Sequence, residues 1–192
     1  MGYTEKAVFL DRDGVINEGG AVRRADQLRI LKGVPGAIRR LNQSGYKVVV
    51  ATNQPDIAKG FCTFDDVDRV NDAMKQEVAA GGGRIDAVYL CPHHPERGHR
   101  GEIEALKVDC GCRKPRPGML VKAMEDLNID PASSWLVGDS DSDIEAGKRA
   151  GLRTIRITSG PGSGSAHEAG CAGVKPDHLS ENLGGAVRII TR

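Results

Sequence analysis

Ala7-Val8-Phe9-Leu10-Asp11-Arg12-Asp13-Gly14-Val15-Ile16-Asn17 is the stretch that decides how this chain folds. Four apolar residues in a row, closed by charge and then by glycine, predict a short strand buried on both faces. Two carboxylates follow it directly, and Gly14 lets the backbone turn sharply. Residues at the carboxyl end of a parallel strand face the crevice where open α/β sheets bind ligands. Asp11 and Asp13 sit two residues apart, so on extended backbone they point the same way. Such a pair can hold a divalent cation, attack phosphorus or carry a proton. Arg12, between them, is expected to face away and to have a structural role. Taken alone, the stretch is equally a charged loop after a buried strand, so the rest of the chain must decide.

Working outward, Lys47–Ala51 (KVVVA) predicts a second buried strand running into the polar turn Thr52-Asn53-Gln54-Pro55. Ala87–Leu90, Trp135–Val137 and Arg153–Ile157 predict three more, and Gly138-Asp139 follows the fourth strand. Helices are expected over Gly36–Ser44, Phe64–Ala80, Gly118–Leu127, Asp141–Ala150 and Asn182–Ile190, with glycines 45, 81–83 and 151 as stops. Ser159–Ser165 (SGPGSGS) predicts a flexible loop. Strands alternating with helices imply an α/β fold, a doubly wound and mostly parallel sheet with helices on both faces. Residues 1–192 are expected to form one domain, without a segment long enough for a separate cap domain. Three polar clusters follow strands, and Arg113-Lys114-Pro115 precedes a helix, so all four can converge on one crevice.

The 192 residues are 39% hydrophobic, enough for a sizeable core, and the formal net charge is +1. No long-range field points to nucleic acid or an anionic membrane. No apolar run is long enough to span a bilayer, and residues 1–6 lack the apolar region of a signal peptide. A soluble cytoplasmic monomer is expected. Three of the five cysteines crowd into Cys91–Cys112, a long irregular segment. Without a secretion signal, such clustering favours metal over disulfides. Cys91-x-His93 and Cys110-x-Cys112 supply three thiolates and an imidazole, the number and softness for tetrahedral zinc. A reduced, metal-free loop is the alternative, and His94 and His99 are rivals for the imidazole. Cys62 and Cys171 are read as plain small residues.

The set resembles the haloacid dehalogenase-like phosphohydrolases, whose pattern is strand-D-x-D-G, strand-S/T, a lysine, then strand-G-D with further acids. F-L-D-R-D-G, T-N-Q, C-P-H-H-P and C-x-C-R-K-P make it similar to the branch that holds the heptose bisphosphate and histidinol phosphatases. The resemblance covers nearly the whole chain. It implies a Rossmann-like sheet and a small sugar phosphate as substrate. Asp11 would be the nucleophile, forming an aspartyl phosphate, and Asp13 the acid and base. Mg²⁺ would be held by Asp11, the Asp13 carbonyl and Asp139, an all-oxygen set that suits it. Thr52 and Lys114 would hold the phosphoryl oxygens as charge shifts. Asn53, Gln54 and Arg113 would meet substrate. Zinc would be structural, on Cys91, His93, Cys110 and Cys112, since four protein ligands leave no open position.

The implied reaction is removal of the 7-phosphate of a heptose 1,7-bisphosphate, with histidinol phosphate as the alternative substrate. A phospho-accepting receiver-like module is the rival of another class, but receivers do not carry their acids as D-x-D-G. Residue by residue, Asp139 alone could cap the next helix. Asp141 and Asp143 read as first-turn acids, with Asp143 also placed behind a metal. Glu18–Val22, Pro55-Asp56 and Ser140 depart from the family pattern, and all border the leaving group.

Overall fold

A computed structural model describes residues 4–159 and 173–192; the expected loop beyond Ser159 and Cys171 lie outside these. Six strands form one sheet: β1 (Ala7–Leu10), β2 (Lys47–Asn53), β3 (Ala87–Cys91), β4 (Trp135–Gly138), β5 (Arg153–Ile157) and β6 (His178–Ser180). Every neighbouring pair is parallel, in the order β3-β2-β1-β4-β5-β6. The chain therefore winds outward in one direction from β1 and in the other from β4. The gap between the carboxyl ends of these two strands is the topological switch point, where such sheets bind ligands.

Strand alternation sorts the core into two layers. Val8 and Leu10 of β1 join Val48, Val50, Val137 and Ile155 on one side. There they meet α1 (Val34–Gln43), α2 (Phe64–Ala80) and α5 (Leu183–Ile190) through Ile38, Leu41, Met74 and Val187. Ala7 and Phe9 join Val49, Ala51 and Leu136 on the other side, under α3 (Gly118–Leu127) and α4 (Asp141–Arg149). Both faces are covered, which is why β1 reads as an unbroken apolar run. Each such buried Leu or Phe contributes on the order of 1.5–3 kcal/mol.

Local signals set the helix starts. Thr63 Oγ1 accepts from Asp66 N–H (3.1 Å) and Asp66 accepts from Thr63 N–H (2.9 Å), closing a capping box on α2. Ser140 and Asp143 form the same box on α4. Helix α1 begins two residues before the expected Gly36, because Pro35 fits the first turn, where its missing N–H has no partner to lose. β6 was not anticipated. Its three residues are too few for a readable pattern, and Leu179 is 63% exposed at the sheet edge.

Two of the loops each contain a short 3-10 turn, at Ala25–Gln27 and Glu104–Leu106. The long loop after β3 is tied to the loop after β2 by Ile103 N–H to the Ala58 carbonyl (3.0 Å). Among the described residues no helix is long and apolar enough to cross a membrane.

Gly138 closes β4 against the first turn of α4. A Cβ there would lie 2.2 Å from the Asp143 Cβ, so Gly138→Ala must push α4 off the strand. The cost of such overpacking is about 1–3 kcal/mol, or a melting temperature about 2–12 °C lower. Thermal denaturation of the variant measures it, and an unchanged midpoint would mean that the turn is free to move.

Candidate active site and metal centre

The switch point opens into a crevice of about 220 Å³ lined by Asp11, Asp13, Thr52, Asn53, Arg113, Lys114, Asp139 and Asp143 among others. Asp11 follows β1, with its N–H on the Val137 carbonyl at 3.0 Å. Thr52 and Asn53 end β2, and Asp139 follows β4. Lys114 comes from the segment between the long loop and α3. The structure brings all the residues expected to act on a phosphoryl group to one place.

Lys114 is buried at the centre. Its ammonium lies 2.8 Å from Asp11 Oδ1, 2.5 Å from Asp143 Oδ1 and 2.7 Å from the Ala51 carbonyl. Burial pulls its pKa down, but the two carboxylates outweigh burial and hold it above the ordinary lysine value. Asp143 is thus a direct partner in the site, beyond the supporting role expected from the sequence. Its Oδ2 accepts from Ser140 N–H (3.1 Å) and Oγ (2.6 Å) while Oδ1 faces Lys114. The signal was present as S-x-x-D over Ser140–Asp143, the pattern that turns the third helical residue back toward the cap.

Asp11, Asp139 and Asp143 are all buried, and each offers an oxygen within 4.8 Å of the others. Lys114 meets two of these three carboxylates directly. Hard oxygens in such a group fit Mg²⁺. Burial pushes the Asp11 carboxyl up to about 7, with Lys114 opposing and Asp143 and Asp13 adding to the rise. The Asp13 carboxylate is not in the cluster.

Asp13 instead accepts from Asn17 Nδ2 (3.0 Å), Gln54 Nε2 (2.9 Å) and the Arg12 guanidinium (3.2 and 3.1 Å). Arg12 therefore does not face away from both acids. The chain turns directly after β1, which breaks the strand alternation and brings the guanidinium, fully buried, onto Asp13. Asn53 lines the crevice, but its amide bridges the backbone of Lys114, donating to the carbonyl and accepting from the N–H, both at 3.1 Å. Gln54 points at Asp13 and Thr52 Oγ1, each at 2.9 Å. Arg113 lines the crevice, and its buried Nη1 has no hydrogen-bond acceptor among the described residues. Asn17 was missed by the sequence reading, since nothing in its neighbours announces that the turn folds it back.

Cys91, His93, Cys110 and Cys112 gather into a second cluster. The Sγ–Sγ separations are 3.3–3.5 Å, and His93 Nδ1 lies 3.6 Å from Cys91 Sγ and 3.3 Å from Cys112 Sγ. A disulfide needs about 2.05 Å, and these cysteines are free. A tetrahedral ion with Zn–S bonds of about 2.3 Å spaces its sulfurs about 3.8 Å apart, so the cluster fits such an ion with little adjustment. His94 lies apart, with Nε2 4.0 Å from Glu96.

Comparison with known proteins agrees with this arrangement. A HAD-hydrolase-like family model matches residues 111–186. The D-glycero-beta-D-manno-heptose-1,7-bisphosphate 7-phosphatase of Pasteurella multocida is 41% identical over 158 residues, covering 81% of this chain and 83% of that protein. The alpha-named enzyme of Burkholderia mallei is 44% identical over 156 residues, 79% of each chain. The crystal structure of D,D-heptose 1,7-bisphosphate phosphatase from B. bronchiseptica, complexed with magnesium and phosphate, superposes with a TM-score of 0.82. It is 32% identical and covers 96% of this chain and 97% of that one.

The raised Asp11 carboxyl gives a pH signature. Between its ordinary value near 3.8 and about 7, the folded metal-free protein binds a proton that the unfolded chain has released. The Asp11 contribution to stability is therefore present at low pH and lost as pH rises toward 7. In metal-free protein, Asp11→Asn should raise the melting temperature at pH 8, by several degrees, and raise it by clearly less at pH 5. A variant less stable than wild type at pH 8 would contradict the raised Asp11 carboxyl.

Proposed function

We propose that this chain, which belongs to the D-glycero-D-manno-heptose-1,7-bisphosphate 7-phosphatase family, removes the 7-phosphate of a heptose 1,7-bisphosphate and leaves the 1-phosphate in place. The observation that carries the phosphoryl chemistry is the convergence of Asp11, Thr52, Lys114, Asp139 and Asp143 on one crevice at the switch point, and the likeness to the heptose-1,7-bisphosphate 7-phosphatases supports the substrate. Phosphoryl transfer asks for positioning and charge neutralisation, and this set supplies both.

In the proposed reaction, the Asp11 carboxylate attacks phosphorus. The bond to the sugar oxygen breaks, and its electron pair stays on that oxygen, which takes a proton from Asp13. Asp13, now a carboxylate, takes a proton from the water that attacks the aspartyl phosphate. Inorganic phosphate leaves and the Asp11 carboxylate is restored. Lys114 and the Thr52 hydroxyl hold the equatorial oxygens. Asp11, the Asp13 carbonyl and Asp139 would hold Mg²⁺, with Asp143 beside them, and the ion would neutralise the repulsion between carboxylate and phosphate. Arg113, with its buried Nη1 lacking an acceptor, meets the sugar or the remaining phosphate.

The cysteine cluster is read as a structural zinc site, because four soft ligands fill a tetrahedron. It pins the loop two residues before Lys114. The whole chain acts as one domain, monomeric and cytoplasmic, and the reaction involves no nucleic acid or membrane.

Phosphate release should be fastest from a heptose bisphosphate within a panel of both anomers, fructose 1,6-bisphosphate and histidinol phosphate. A higher kcat/KM for histidinol phosphate would overturn the substrate assignment. Asp11→Asn should lower kcat about 10³-fold or more. Dialysed protein should retain about one zinc per chain and still require added Mg²⁺ for turnover. Cys110→Ser should lose the zinc and melt lower, and an unchanged melting temperature in zinc-free protein would rule out a structural site.

A further inference from the structure

The surroundings of Asp13 carry an inference beyond the reaction itself. Each Asp13 oxygen accepts two hydrogen bonds, Oδ1 from Arg12 Nε and Asn17 Nδ2, Oδ2 from Arg12 Nη2 and Gln54 Nε2. The donors are buried: Arg12 and Asn17 completely, Gln54 with 6% exposure. Such a cradle leaves the carboxylate one rotamer. Arg12 is held in turn, with Nη1 3.4 Å from Asn71 Oδ1 of α2.

Gln54 has a second partner. Its Nε2 also lies 2.9 Å from Thr52 Oγ1. An amide nitrogen carries two hydrogens, so it can serve both acceptors at once. With the amide turned over, Oε1 would face the Asp13 carboxylate, so the neighbours fix its orientation. Thr52 Oγ1 is then an acceptor toward Gln54, and its own hydrogen is left to donate into the crevice. The Gln54 backbone is anchored too, with its N–H 2.8 Å from the carbonyl of Cys91.

We infer that Gln54 is a positioning residue that aligns the Asp13 carboxyl and the Thr52 hydroxyl with one amide, and not the substrate ligand that the sequence suggests. This rests on the reading of Asp13 as the acid given above. A proton donor matters most when the leaving group is a poor one, such as a sugar alkoxide, and least when it is a good one, such as p-nitrophenolate. Loss of the Asp13 alignment should therefore be read out by leaving group.

The test compares Gln54→Met, which keeps the length and removes both donors, with wild type and Asp13→Asn. The substrates are p-nitrophenyl phosphate, phenyl phosphate and the sugar bisphosphate, all with Mg²⁺. With the sugar substrate, kcat for Gln54→Met should fall roughly 10- to 100-fold, the scale of a misplaced catalytic group. KM should change less than about threefold, and the loss with p-nitrophenyl phosphate should be clearly smaller. Gln54→Asn keeps the amide but withdraws it by one methylene; it should show the same sign with a smaller loss, and it decides the matter if the methionine variant fails to fold. A raised KM with unchanged kcat would make Gln54 a substrate contact and overturn the inference. Equal losses on all three substrates would also overturn it, provided that Asp13→Asn does discriminate among them. If Asp13→Asn shows no leaving-group dependence either, the acid assignment of Asp13 falls and the inference with it.

Discussion

The buried ammonium of Lys114 joins three parts of the chain that are remote in sequence. It lies between Asp11 at the end of β1 and Asp143 in the first turn of α4, with the Ala51 carbonyl of β2 as its third partner. Removing such charges from water is costly, and their mutual attraction offsets that cost only with good geometry. The clasp is therefore better understood as a constraint on shape than as a source of stability. It fixes the register of three carboxyl-end segments around one point.

Lys114 must be delivered from a loop with little regular structure. Two devices do this. The Asn53 side chain bridges both backbone groups of Lys114, so the end of β2 holds it as a strand neighbour would. Two residues earlier stands Cys112, the last member of the thiolate cluster. Ordering a long loop costs conformational entropy, and a four-ligand ion at its base would remove most of that freedom in advance. Cys91 belongs to the same cluster and its carbonyl holds the Gln54 N–H. The cysteine cluster and the crevice are thus linked through backbone on two sides.

Much of this was legible in the sequence, for definite reasons. Strands β1 and β2 are covered on both faces, so their unbroken apolar runs announce them and fix where Asp11 and Thr52 must lie. The cysteines were legible because metal-ligating types crowd into one segment, while the choice of His93 over His94 and His99 came from the family resemblance. Side-chain direction at the turns was not. Strand alternation predicts that Arg12 faces away, yet the chain leaves the strand at Asp11 and the alternation lapses there. The partners of Asn53 and Gln54 depend on where Lys114 and Asp13 arrive, which only the assembled sheet decides. The position of Asp143 lies between these cases, since its capping pattern is local but its contact with Lys114 is not.

The same dependence governs the rim of the crevice. Asp56 pairs with Arg23 at 2.6 Å, just beyond the segment Glu18–Val22. The Arg23 guanidinium also stacks 4.7 Å from the centre of the Phe61 ring. Phe61 in turn meets His99 of the long loop edge-on, with 5.4 Å between ring centres. The glycine beside it, Gly60, leaves no room for a Cβ, which would lie 2.0 Å from the Gly101 carbonyl oxygen. Three loops from three crossovers are therefore one packed surface. A change at Asp56 withdraws the partner of Arg23 and loosens the contact that carries Phe61 onto His99. The segment after β1 and the loop after β2 are consequently not independent, because the Arg23–Asp56 pair joins them.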